Sequence, residues 1–228
     1  MARILYELEN VESPFVWRSK YALAHAGLSY ESRPTAFTEI KNVCGGRHKT
    51  VPILVDEDGT EVCDSLAIAS YLQEAYPHAP SLFGPAGHAQ AAYIEDLLGK
   101  TGFPNFFPLY IVDIWAGLPE KDATYFRTSR EERFGATLEN LATNRAGRID
   151  YARKQLDPFR VELTKAPWLS GTMPGYSDYI VLAFFAWLKG CATLPPLATG
   201  DPLVEYVNRG FALYDGIGQN IKGGPIAG

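Results

Sequence analysis

The chain has 228 residues, 46% of them hydrophobic, including twelve Phe, thirteen Tyr and four Trp. That composition supplies a large core and excludes a disordered chain. A formal charge of −5, from 21 basic and 26 acidic side chains with no long block of either sign, excludes the basic face that nucleic-acid binding needs.

In chain order, "RILYEL" is a short β-prone run. "PFVWRSKYALAHAG" follows as a helix, with Phe15, Ala22 and Leu23 at helical spacing and Gly27 where a C-terminal cap belongs. "LSYESRPTAF" reads as a second strand running into a loop. "TVPILVDEDGTEVCDS" reads as two strands joined by an Asp-Gly turn. "SLAIASYLQEAYP" is a helix ended by Pro77. This βαβ–ββα order predicts a small α/β domain over residues 1–78.

Residues 79–90 have linker composition, rich in Pro, Gly and small side chains. Residues 91–228 predict an all-α domain, with apolar residues at i, i+3 and i+4. "DYIVLAFFAWLKG" is apolar nearly all round and is expected to be its central buried helix.

Cys44, Cys63 and Cys191 are odd in number and far apart, with no CxxC or Cys/His ligand spacing. A disulfide scaffold and a metal site are therefore not expected. Cys63 is expected to be buried and inert. No run approaches ~18 consecutive apolar residues, and "MARILYELEN" lacks the apolar stretch of a signal peptide. The expectation is a cytoplasmic protein without membrane association.

Three short motifs admit two readings each. Ser13-Pro14 suits a helix N-cap followed by Pro at the first helical position. A thiol held at the same helix end would feel the positive dipole and accept a hydrogen bond from the Ser13 hydroxyl, both favouring thiolate. Val51-Pro52 is either a plain strand entry or a cis peptide that leaves the Val51 backbone free to pair with an extended ligand. Asp64-Ser65 is a helix cap, or an anion site in which Ser65 holds a carboxylate and Asp64 an ammonium group.

Taken together in this order, the three motifs resemble those of the glutathione S-transferases. "SPFVWR" is similar to the family's S/C-P-F-x-x-R opening, "TVPIL" to its cis-proline turn, and "DSLAIASYL" to the segment holding the γ-glutamyl end. The resemblance implies a thioredoxin-like N-terminal domain, a helical C-terminal domain, glutathione as co-substrate and a homodimer. It also implies that Ser13 is the thiolate-stabilising residue and that Ser13, Phe15, Val51, Pro52, Asp64 and Ser65 form the glutathione site.

Serine in place of cysteine at position 13 implies direct attack by the bound glutathione thiolate rather than a mixed disulfide, so thiol-transferase chemistry through Cys44 or Cys63 is not expected. The family's S/T-x-x-D capping box at the central helix is half present, with Gly175 at its first position and Asp178 at its last. "LDPFR", "WLSG", "YSDY" and "RGFALYDGIG" further resemble the etherase-like class, which includes bacterial enzymes that cleave β-aryl ethers of lignin. Only Val11-Glu12 stand where those etherases carry a longer loop before the serine.

That likeness implies a small aromatic substrate in an aromatic pocket, with Phe15, Phe103, Phe106, Phe107, Tyr110 and Trp115 as candidates. Plain core packing is the other reading of each ring. The alternative at the level of function is a ligandin-like protein that binds phenolic compounds without turning them over.

Overall fold

A computed structural model describes residues 1–228. The first half runs β1 (Ile4–Leu8), α1 (Pro14–His25), β2 (Glu31–Thr35), β3 (Ile53–Val55), β4 (Glu61–Cys63) and α2 (Ser65–Ala75). The four strands order as β2-β1-β3-β4, with β1 and β2 parallel and the other pairs antiparallel. This is the thioredoxin-like arrangement. Nine helices follow: α3 (Gly87–Thr101), α4 (Phe103–Ala116), α5 (Glu120–Phe134), α6 (Leu138–Leu141), α7 (Arg145–Lys154), α8 (Asp157–Leu163), α9 (Tyr176–Cys191), α10 (Pro202–Phe211) and α11 (Leu213–Gly216). None is long and apolar enough to cross a membrane.

Local chemistry accounts for most element ends. α1 starts at the Ser13–Pro14 cap and stops where Gly27 takes φ +67°, a left-handed conformation that glycine adopts without strain. The β3–β4 hairpin turns through Asp58-Gly59, and α2 ends two residues before Pro77. α3 begins at Gly87, inside the segment read from sequence as linker. Ala89 and Gln90 there favour helix, and no proline interrupts them.

Residues 37–46, read as loop, instead form 3₁₀ turns broken at Val43–Gly45. A distant side chain holds this segment: Asp122 of α5 accepts from Phe37 N at 2.9 Å, Thr38 N at 3.2 Å and Thr38 Oγ1 at 3.0 Å.

One core of 48 buried residues runs through both halves. Its axis is α9, whose residues from Tyr176 to Leu188 are all buried, and α1 and α3 pack along it. The first residues of α9 explain the incomplete capping box. A Cβ at Gly175 would come within 2.8 Å of Ser170 Oγ and 2.9 Å of Leu82 O. Glycine is therefore required there by close backbone approach. Asp178, fully buried, accepts from the backbone N–H groups of Leu169 (2.8 Å), Ser170 (3.1 Å) and Gly175 (3.1 Å), and from the Tyr206 hydroxyl (3.1 Å). Burial pushes its carboxyl pKa up, against those donors.

Candidate active site at the sheet edge

Strand register gathers the three motifs at one end of the sheet. In the antiparallel β1–β3 pair, Tyr6 opposes Ile53, so the Val51-Pro52 entry to β3 lies level with the end of β1 and the loop leading to Ser13. In the β3–β4 pair, Ile53 opposes Cys63, and the next residue, Asp64, donates its N–H to Pro52 O at 3.3 Å. α1 and α2, which start at Ser13 and Asp64, pack against each other.

Ser13 is nearly buried, and its Oγ accepts from Val16 N at 3.5 Å, the long limit for a hydrogen bond. The cap is weak, and the Ser13 proton is not used by it. The preceding loop is pinned. Trp17 Nε1 donates to Glu12 Oε2 at 2.6 Å, and Glu12 lies so close to α9 that a Cβ on Gly190 would clash with its side chain.

The Val51-Pro52 peptide is cis. Neither the N–H nor the C=O of Val51 takes part in a backbone hydrogen bond. Asp64, at φ +86°, caps α2 through Oδ1 alone, which accepts from Leu66 N at 2.9 Å and Ala67 N at 3.1 Å. Ser65 is 1% exposed and its Oγ has no partner. Burying a hydroxyl without a hydrogen bond costs about 1–3 kcal/mol, so this atom lowers the stability of the fold.

The candidate aromatic residues divide. Phe15, 42% exposed, stacks on Phe103 with centroids 6.1 Å apart and planes 9° apart. The row continues from Phe103 to Trp187, Phe107 and Phe134 at 5.8, 6.0 and 5.8 Å. Phe106 and Tyr110 do not join it. Both are fully buried, Phe106 against Phe184 at 5.4 Å and Tyr110 donating to Leu194 O at 2.9 Å. They sit on the core side of α4, whose helical turn puts neighbouring residues on different faces. Trp115, five residues beyond Tyr110, carries the Arg127 guanidinium 4.3 Å above its ring and borders a separate cavity of about 350 Å³ between α4 and α5.

The crevice next to the Ser13 loop, of about 390 Å³, is also not the apolar pocket expected from sequence. Glu7, Asn10, Glu12, Lys20 and Lys222 line it. The predicted burial of Cys63 is likewise only partial. Its thiol is half-buried and donates to Thr50 O at 3.5 Å, because β4 is a three-residue edge strand.

Sequence reasoning missed two residues at this edge. Arg18, 1% exposed, pairs with Glu95 of α3 at 2.6 Å and lies 4.8 Å over the Phe15 ring. It stands in "SPFVWR", so a signal existed. Tyr176, the first residue of α9, lies beside Ser65; it opens the "YSDY" phrase, but nothing in that phrase points to the sheet edge.

A thioredoxin-like sheet carrying a Ser-Pro helix start, a cis-proline turn and an Asp-Ser helix start, docked on a helical bundle, defines a class of glutathione-dependent enzymes. Comparison with known proteins agrees. Residues 12–75 match the glutathione S-transferase N-terminal domain, and residues 89–194 match its C-terminal domain. Glutathione S-transferase U26 of Arabidopsis thaliana is 23% identical over 187 residues, covering 80% of this chain and 72% of that one. The glutathione S-transferase-like protein ustS of Aspergillus flavus is 33% identical over 138 residues, 54% of this chain and 49% of that protein. A Ceriporiopsis subvermispora glutathione S-transferase, solved in complex with glutathione, superposes with a TM-score of 0.81 at 21% identity, covering 94% and 97% of the two chains. The chain belongs to the glutathione S-transferase family, with glutathione as its co-substrate.

Proposed function

We propose that this transferase binds glutathione along the sheet edge and directs its thiolate at aromatic electrophiles, with cleavage of β-aryl ethers as the specific form. The observation that carries the glutathione assignment is the buried, unpartnered Ser65 hydroxyl at the start of α2, at the same sheet edge as the free Val51 backbone. The γ-glutamyl carboxylate takes the Ser65 hydroxyl and the N-terminal end of α2. Asp64 Oδ2 is left for the ammonium group, and the cysteinyl backbone pairs with Val51 as an added strand. The Ser13 hydroxyl donates to the sulfur and, with the positive end of α1, lowers the thiol pKa.

In the ether reaction the thiolate attacks the carbon bearing the aryloxy group. A C–S bond forms, the C–O bond breaks, and the electron pair leaves on the phenolate; the thiol proton has already passed to solvent. The Phe15–Phe103–Trp187–Phe107 row supports an aromatic second substrate, because stacked rings offer offset and edge contacts to another ring.

Steady-state turnover of an aryl-ether ketone with glutathione, followed by phenol release, tests the ether reading. Tight binding of the ketone with no phenol released would leave the ligand-holding alternative instead. Ser13→Ala tests the thiolate role. Loss of one hydrogen bond to a charged sulfur lowers kcat/KM near pH 7 by about 10- to 100-fold and moves the ascending limb of the pH–rate profile to higher pH. An unmoved limb would reduce Ser13 to a helix cap.

A further inference from the structure

Three buried polar atoms without partners, Ser65 Oγ, Tyr176 Oη and Arg18 Nε, belong to one neighbourhood. Their residues are 1%, 0% and 1% exposed. They come from α2, α9 and α1, so no single element explains them. Each unmet group of this kind lowers the stability of the free protein. The Tyr176 hydroxyl faces Ser65 at the margin of hydrogen-bonding geometry, and neither oxygen is engaged elsewhere. Burial pushes its pKa up, with Arg18 acting in the opposite sense, so it remains a neutral O–H donor at physiological pH.

We propose that Tyr176 is a positioning residue for the γ-glutamyl end of glutathione. Its hydroxyl donates to Ser65 Oγ, and the Ser65 proton is thereby turned toward the ligand carboxylate. The proposal deepens the glutathione reading above and rests on it. A serine hydroxyl has one proton and two lone pairs. Once a buried donor occupies a lone pair, the proton is free to face the anion, and hydrogen bonds in such a chain polarise one another.

Tyr176 is well placed to hold its own position. It opens the central helix α9, its N–H donates to Leu82 O at 2.7 Å, and its ring lies 5.3 Å from Phe83. The relay therefore hangs on the most buried element of the helical half while acting on the sheet edge of the other half.

Tyr176→Phe separates this role from plain packing, because it keeps the ring and removes only an unpartnered hydroxyl. The relay predicts two opposite changes. The thermal midpoint of the free protein holds or rises, since a buried unmet group is gone. The Kd for glutathione by calorimetry rises about 2- to 12-fold, the equivalent of one net hydrogen bond, and the kinetic effect falls on KM for glutathione more than on kcat.

Ser65→Ala weakens glutathione at least as much, and adding Tyr176→Phe to it changes nothing further, because the two hydroxyls act in series. An unchanged Kd in Tyr176→Phe, full additivity with Ser65→Ala, or a lowered thermal midpoint would each overturn the relay. A wild-type protein that does not bind glutathione would overturn the glutathione reading and the relay with it. Wild-type binding with an unaltered Tyr176→Phe affinity removes the relay alone.

Discussion

The sheet edge and the aromatic face of α4 are built on opposite principles. At the edge, polar atoms are left incompletely used: Ser65 Oγ has no partner, Asp64 caps with one oxygen, and Ser13 accepts a single long bond. Along α4 almost everything is used. Phe106 and Tyr110 are fully buried, and only the outer row from Phe15 to Phe134 keeps exposed ends, at 42% and 41%. Unmet polar groups lower stability, and filled cavities raise it. The edge thus gives up stability, as the proposed glutathione site requires, whereas α4 contributes it and adds Phe103 and Phe107 to the stripe of rings at the surface.

The largest test of this division replaces rings on the two sides of α4. Phe106→Ala leaves a cavity in the core and is expected to cost about 3–5 kcal/mol in denaturant unfolding, with an unchanged m-value. Phe15→Ala removes a ring exposed over much of its surface, so its effect on stability stays below about 1 kcal/mol. Its effect falls instead on KM for an aromatic electrophile, while KM for glutathione changes less. If Phe106→Ala and Phe15→Ala cost the same, the separation of core and surface rings is lost.

A smaller, pH-dependent effect marks where the sheet domain is held together away from the edge that carries Ser13, Val51 and Ser65. Asp56, 2% exposed, pairs with Arg3 Nε at 2.8 Å and accepts from the hydroxyls of Tyr76 (2.7 Å) and Tyr71 (2.8 Å). Burial raises its pKa, but the two tyrosines, the Glu57 N–H and Arg3 outweigh it, so the folded value lies below the ordinary one. An acid with a lowered folded pKa stabilises above its unfolded value, about 3.9, and loses that contribution as pH falls through the folded value. The thermal midpoint should therefore fall on acidification below about pH 4, and Asp56→Asn should flatten that part of the curve. A variant curve parallel to wild type would show that other carboxylates dominate.

What could be read in the sequence follows the range of the interactions involved. Ser13-Pro14, Asp64-Ser65 and Asp58-Gly59 act over two or three residues, so the two helix caps and the turn were visible as patterns. The turns at 37–46 were not, because Asp122 holds them from 85 residues away at Phe37 N and 84 away at Thr38. Phe106 and Phe107 are neighbours with opposite surroundings, and only the tertiary position of α4 separates them. The charged lining of the crevice beside the Ser13 loop was hidden for the same reason. It draws on β1, α1, the ends of α4 and α9, and the C-terminal segment. Tyr176 meets Ser65 across more than a hundred residues, with no periodicity to report it.

The smallest expected effect concerns the thiols, and it sharpens the assignment of Ser13. Cys44 stands at φ +51° in the kinked 3₁₀ segment, and burial and Glu61 push its pKa up despite Arg47. A thiol with a raised pKa is a poor nucleophile at neutral pH, since the thiolate is the reactive form. Cys63 donates to Thr50 O, a contact that serves the edge strand and not a reaction. Replacing both with Ser should leave kcat/KM for glutathione conjugation within about twofold, because exchanges of this size away from a site fall within about ±0.5 kcal/mol. Serine reproduces the donor at position 63, so stability should hold as well. A drop of tenfold or more in the double variant would transfer the sulfur chemistry from glutathione to the protein's own thiols, and the serine at position 13 would no longer identify the nucleophile.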